Sequence, residues 1–425
     1  MKPVLYIPLL TILILLALVF GVSEDPGRTN PISAEAAPLT PGILPVTEGF
    51  TFARAAGADG EILPLLVTGL SGAQVSAIDL SEHGADPAAD LFAALRDVGA
   101  RRLTALFHQA QGADGADLTQ SYAWGSLLSV AGSGDRHVAS GTNFIEHAEE
   151  TNSQSVFNFP KFGPPTPPVT TVLHQEGALL DYEVELCMIF DRDIATIDDF
   201  DAAQKGLFLC GDFTDRAVLF RMIDVDNFDS GSGFSDAKSG PDFFPTGGLL
   251  VIPGDWESFV DNERIVTFRN EDLRQDARGG EMILDFRELT GQVLADATST
   301  RFRYQGRAHT LIEGQEIARD QVLMSGTPEG VIFMPPTWRQ MTRGVLRHLF
   351  SGGFLTGVSG YDSVVGSFIR EEARSKRFLQ PDEQITYASA SMGKVIITVV
   401  AGEDGTAGQK TATTSPIESG QNDPS

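Results

Sequence analysis

The stretch Leu180-Asp181-Tyr182-Glu183-Val184-Glu185-Leu186 decides how the rest of this 425-residue chain is read. A β-strand sends alternate side chains to opposite faces. As one strand, the heptapeptide puts Asp181, Glu183 and Glu185 on one side and Leu180, Tyr182, Val184 and Leu186 on the other. Most acidic strand faces are solvated, and an isolated D-x-E-x-E is no exception. If this face is buried, its carboxylates repel one another and lose hydration, so positive charge has to sit among them. A hard divalent cation is the simplest source of that charge.

Residues on either side bear on the choice. Asp212 follows Glu185 by 27 residues, a gap that fits a strand, a loop and a return, so a third oxygen could reach the site of Glu183 and Glu185. An oxygen-only set suits magnesium, with the remaining positions left to water and substrate; zinc would want His or Cys at the centre. Upstream, a helix starting near Asn143 makes His147 and Glu150 neighbours on one face. A carboxylate beside a histidine raises its basicity and orients its ring, as activating a water requires, although the same spacing is common on ordinary surface helices. Lys238 stands ahead of a turn shaped by Pro241, Pro245 and Gly247.

In this order, and with Ser325-Gly326-Thr327-Pro328-Glu329-Gly330-Val331, these segments resemble the fumarylacetoacetate hydrolase family. Its N-Y-x-x-H-x-x-E element is matched by Asn143, Phe144, His147 and Glu150, and its D-Y-E-V-E-L strand by Asp181 to Leu186. Its N-D-x-T-x-R segment corresponds to Gly211 to Arg216, its K-x-x-D-x-F-x-P-x-G turn to Lys238, Pro245 and Gly247, and its T-G-T-P-x-G-V loop to the stretch ending at Val331. Phe378-Leu379-Gln380-Pro381-Asp382 is similar to its closing L-x-P-G-D entry, so the resemblance spans residues 138–400.

The resemblance implies an α+β, predominantly β fold of the mixed β-roll kind. It implies Glu183, Glu185 and Asp212 as ligands of Mg²⁺ or Mn²⁺, and His147 and Glu150 as a water-activating pair. Lys238 would stabilise enolate charge, and Arg216 and Thr327 would contact a small keto-acid substrate. The activity implied is hydrolysis of a carbon–carbon bond in a β-diketo acid, an acylpyruvate or fumarylacetoacetate-like compound, through a metal-stabilised enolate. Decarboxylation of an oxaloacetate type, hydration or isomerisation, and a non-catalytic exported metal-binding module are the alternatives. Family members are commonly dimers, so a homodimer is expected. Two departures stand out. Gly211 replaces the Asn before the metal Asp, and Leu219 replaces the Gln of an Arg-Asp-x-Gln pattern that reads here as Arg216-Ala217-Val218-Leu219. An insertion at 332–377 reads equally as a lid over the site or as an oligomer- or membrane-facing surface.

The remaining organisation follows from composition. Residues 4–22 carry no charge, and as a helix they reach about 28 Å, close to a bilayer core. This segment is expected to enter a membrane as a signal peptide or retained anchor, with the catalytic part exported. Residues 23–47 read as a linker, 48–137 as a small α/β N-terminal subdomain, 138–400 as the catalytic domain and 401–425 as a disordered tail. With 57 acidic against 31 basic residues the net charge is −26, which argues against nucleic acid as a partner. Cys187 and Cys210 are expected as two buried thiols, a disulfide being conceivable if their segments are neighbours. Ser235-Asp236-Ala237-Lys238 spells S-x-x-K, but the K-T-G and S-D-N elements of such hydrolases have no useful counterpart.

Overall fold

The computed structural model describes residue 35 and residues 37–402, apart from 88–89, 113–114, 152–154, 225–226, 228–229 and 351–358. The expected membrane-entering segment 4–22 and nearly all of the tail 401–425 lie outside the described residues. Among the described residues, no helix is long and apolar enough to cross a membrane.

The fold is mixed α+β and rich in sheet. The N-terminal stretch supplies β1 (Gly49–Ala56), β2 (Ile62–Ser71), β3 (Gln74–Asp79) and β4 (Gln120–Ala123). Next, β5 (Arg136–Gly141) and β6 (Phe157–Phe162) flank the helix Ile145–Thr151. The acidic segments lie on or beside β7 (Val169–His174), β8 (Leu180–Asp181), β9 (Val184–Phe190), β10 (Lys205–Gly211) and β11 (Thr214–Asp215). There follow β12 (Leu249–Pro253), β13 (Arg264–Arg269), β14 (Asp272–Arg278) and a short pair, β15 (Phe302–Tyr304) with β16 (Arg307–His309). Last come β17 (Leu323–Met324), β18 (Gln384–Ser389) and β19 (Lys394–Ala401).

A ten-stranded sheet runs β4-β3-β2-β1-β12-β10-β9-β17-β5-β6, and a five-stranded sheet runs β14-β13-β18-β19-β7. Residues 48–137 thus extend the sheet that carries the acidic strand, through antiparallel pairing of β1 with β12. Every residue of β9 and β10 is buried. Strands covered on both faces read as near-continuous apolar runs, and Val184 to Phe190 is such a run interrupted by one acid, Glu185. The second sheet supplies part of the cover. Tyr387 of β18 lies so close to Gly211 of β10 that a Cβ there would sit 2.3 Å from the ring, which is why glycine stands where the family motif has asparagine.

One expectation is overturned here. Cys187 and Cys210 form a disulfide, with their Cα atoms 5.9 Å apart. The antiparallel register places Glu185 opposite Cys210 and Cys187 opposite Phe208, so the cysteines are diagonal neighbours across one strand pair. The antiparallel pairing of the successive strands β9 and β10 brings the sulfurs together, and its register cannot be read from the cysteine spacing alone. Replacing both cysteines by alanine is expected to lower stability by about 3 kcal/mol, the cost of releasing a loop of this length in the unfolded chain. A chemical-denaturation midpoint unchanged from that of the parent would contradict this.

The insertion folds into two helices, Trp338–Phe350 and Gly360–Ser375. They are cross-linked by Arg343 and Glu371 at 2.7 Å and by Gln340 donating to Glu372 at 2.8 Å. The pair rests on the helix Arg216–Met222, where Phe220 meets Phe368 edge-on at 4.9 Å between ring centres.

Candidate active site

The acidic strand is not one strand. It breaks after Asp181, and Tyr182-Glu183 links β8, which pairs with β11, to β9, which pairs with β10. Across the break the backbone N–H of Asp212 donates to the carbonyl of Glu183 at 2.9 Å. This bond sets Asp212 beside the acids, and oxygens of Glu183, Glu185 and Asp212 lie within 4.8 Å of one another, all three residues buried. Asp181 stands apart from that group. Its carboxylate accepts from the backbone N–H groups of Ile332 and Phe333 at 2.8 and 3.0 Å and from Arg216 at 2.9 Å. It therefore ties the start of the insertion to the site.

Three cations are buried among the four carboxylates. Lys238 Nζ donates to Glu183 Oε2 at 2.6 Å and to Asp212 Oδ2 at 2.8 Å. Arg216 spans Asp181 and Glu183, reaching Glu183 Oε1 at 2.7 Å, and the hydroxyl of Thr214 donates to the same oxygen at 3.0 Å. Lys161, fully buried, donates to Asp212 Oδ1 at 2.6 Å and to the carbonyls of Lys238 and Phe243. Burial pushes the Glu183 carboxyl up, but Lys238 and Arg216 beside it hold it below its ordinary value. Burial works against the Lys238 ammonium, while Asp212 and Glu183 carry it above its ordinary value.

Glu185 is the exception. Its Oε2 accepts from the N–H of Gly326 at 2.9 Å, whereas its Oε1 is buried with no hydrogen-bond partner. Burial first, and then neighbouring Asp212, push its carboxyl well above the ordinary carboxylate range. Four carboxylates against three cations leave the cluster one positive charge short, and the shortfall falls at Glu185. The site fits a hard divalent ion on three counts: an orphaned oxygen, an oxygen-only donor set, and lone pairs left on carboxylate oxygens that each accept one or two N–H or O–H groups.

His147 and Glu150 are joined at 3.0 Å between Nδ1 and Oε2, one turn apart on the helix Ile145–Thr151. A cavity of about 330 Å³ is lined by His147, Glu183, Arg216, Lys238 and Thr327 among others. Glu150, Glu185 and Asp212 do not line it. Thr327 is held by Gln275, whose amide donates to its hydroxyl at 2.9 Å and to the Pro328 carbonyl at 2.8 Å, while the N–H of Val184 donates back to Gln275 at 3.2 Å. The Ser235 hydroxyl donates to the Pro160 carbonyl at 2.6 Å, so the S-x-x-K pattern assembles no nucleophile. Sequence reasoning missed Lys161, Gln275 and Thr214. Lys161 did leave a signal: a lone cation in the apolar run Phe157-Asn158-Phe159-Pro160-Lys161-Phe162.

Next to Thr327, burial and then the charges of Glu146, Glu281 and Glu150 push Glu329 up to about 8. Between an unfolded value of 4.5 and that figure, the folded protein holds a proton that the unfolded chain has released. This contribution to stability is complete at low pH and is lost as pH rises through the window. Glu329→Gln is expected to flatten the fall in melting temperature between about pH 5 and pH 9. A fall as steep as that of the parent would show that the charge sits elsewhere.

Buried carboxylates converging on one point, a His–carboxylate pair and a buried lysine on one cavity define a candidate metal-assisted enzyme. The family model described as fumarylacetoacetate (FAA) hydrolase, C-terminal, matches residues 136–400, more than half of the chain. The chain belongs to this family. Among solved structures, a fumarylacetoacetate hydrolase from psychrophilic Exiguobacterium antarcticum is similar with a TM-score of 0.50 and 17% identity, over 83% of this chain and 100% of that one. A 2-hydroxyhepta-2,4-diene-1,7-dioate isomerase from Mycobacterium marinum gives 0.48 at 14% identity, over 84% and 100%. No curated protein matches the sequence.

Proposed function

We propose that the protein is a divalent-metal-dependent hydrolase that cleaves a carbon–carbon bond in a β-diketo acid such as an acylpyruvate. The observation that carries this reading is the buried, unpartnered Oε1 of Glu185 within reach of Glu183 and Asp212. Held by Glu183, Glu185 and Asp212, Mg²⁺ or Mn²⁺ would supply Lewis acidity that favours enolate formation. The chain's own residues account for the rest. His147, oriented by Glu150, takes a proton from water as the water adds to the acyl carbonyl carbon. The bond from that carbon to the neighbouring methylene breaks, and its electron pair stays with the methylene as the enolate of the keto acid. Lys238, on the wall of the same cavity, offers an ammonium to that charge. A proton returned to the methylene completes the balance: one water consumed and two acids formed. Arg216 and Thr327 supply donors for the substrate's carboxylate.

The His147–Glu150 pair favours hydrolysis over decarboxylation, which has no use for an activated water. The disulfide supports an oxidising compartment, as an exported or membrane-anchored protein would meet. The test is a screen of the purified protein with Mg²⁺ or Mn²⁺ against acylpyruvates, oxaloacetate and fumarylacetoacetate-like diketones. Lys238→Ala is expected to cost about 10³-fold in kcat/KM. Turnover that survives it undiminished would sink the assignment, and release of carbon dioxide from oxaloacetate in place of acylpyruvate cleavage would move the reading to a decarboxylase.

A further inference from the structure

Only one part of the cavity wall has a task in the chemistry above. Among the described residues, no charged side chain apart from His147, Glu183, Arg216 and Lys238 lines it, and the bulk of the remaining wall is apolar. Leu219, Phe220 and Phe234 come from the body of the protein, whereas Phe333, Met341 and Val364 come from the insertion. The insertion helices also carry Arg343, Arg347, Arg370 and Arg374, none of which reaches the cavity. What these helices present to the cavity is Met341, Tyr361, Val364 and Val365. Tyr361 fastens this wall by donating its hydroxyl to the Phe220 carbonyl at 3.2 Å. Leu219, where the family pattern has glutamine, removes a hydrogen-bonding group from the same wall, so a polar group on a ligand would meet no partner there.

We propose that the insertion and the helix Arg216–Met222 form a binding site for an apolar acyl group of the substrate, a short aliphatic chain attached to the dicarbonyl; this rests on the keto-acid reading of the site. Size agrees. At about 30 Å³ for a group the size of a water, a cavity of about 330 Å³ takes roughly eleven. The pyruvoyl part of an acylpyruvate uses about six and the acyl carbonyl about two, which leaves room for a chain of roughly three carbons. The insertion is thereby a specificity element that completes the pocket.

The experiment has two arms. Calorimetry with Mn²⁺ present measures binding of straight-chain 2-oxo acids of increasing length, which needs no turnover, and kcat/KM is measured for acylpyruvates from acetyl to octanoyl. Both affinity and kcat/KM are expected to rise about threefold to fourfold per methylene. Leu219→Gln, and separately Val364→Ser on the insertion, should reduce that slope by half or more in variants whose melting temperatures confirm folding. A chain-length slope in binding without acylpyruvate turnover leaves the apolar site standing and overturns the reaction. Turnover of acetylpyruvate with a flat slope does the reverse. Neither binding nor turnover overturns both.

Discussion

Glu185→Gln is expected to abolish metal-dependent activity while leaving the fold intact. The amide has nearly the shape of the carboxyl and can keep the bond from the Gly326 N–H, 2.9 Å in the parent. It cannot offer the negative oxygen that Glu185 holds without a partner. Substitutions of residues that only orient metal ligands cost about 10- to 100-fold in affinity, so loss of a ligand should weaken Mn²⁺ binding by at least about 100-fold. Activity should fall by about 10³-fold or more, because Lewis acidity accounts for several kcal/mol of the barrier. The apo form of the variant should melt no lower than the parent, since the change removes the uncompensated charge of the cluster. Mn²⁺ affinity equal to the parent's, by calorimetry or paramagnetic resonance, would place the ion elsewhere.

Lys161→Met is the second large effect, and its readout is stability. Lys161 is wholly buried and its ammonium meets Asp212 Oδ1 at 2.6 Å. Burial pulls the Lys161 ammonium below its ordinary value, and the Asp212 carboxylate opposes that pull. Removing one partner of a buried pair leaves the other charged and desolvated, which typically costs about 3 to 5 kcal/mol. Methionine fills the space of the lysine stem, so lost volume contributes little. The melting temperature of the metal-free protein should drop by at least about 5 °C, and saturating Mn²⁺ should restore part of it by binding the folded state alone. A drop below about 1 °C would mean that Lys238 alone neutralises Asp212.

Much of the fold was legible because short apolar runs separated by Gly, Pro and Asp are a local signal. The runs around Leu207, Leu250, Val266, Leu323 and Ile397 all lie in strands. The helical part expected of the α/β N-terminal region includes Leu91–Val98, which starts after Asp90, whose carboxylate caps it by accepting the Ala93 N–H at 2.7 Å. Residues of the candidate site were legible where several types recur at a spacing, as with His147 and Glu150 or Glu183 and Glu185. The partners of Lys161 and Gln275 were not, since both residues act through long-range contacts that no local pattern records.

By itself the sequence determined which side chains are available: the acids of the 180–186 stretch, Asp212, Lys238, the His–Glu pair and the insertion that sets this chain apart from the family pattern. Alternation along a strand could assign the acids to one face but not say whether that face was wet. Only the tertiary structure decided it, by covering β9 on both sides, breaking the strand after Asp181 and seating three cations among four carboxylates. It also paired Cys187 with Cys210 and brought Phe333, Met341 and Val364 of the insertion to the cavity. The physical reason is common to all of these. Burial and charge compensation depend on neighbours far away in the chain, whereas periodicity reports only on the chain itself.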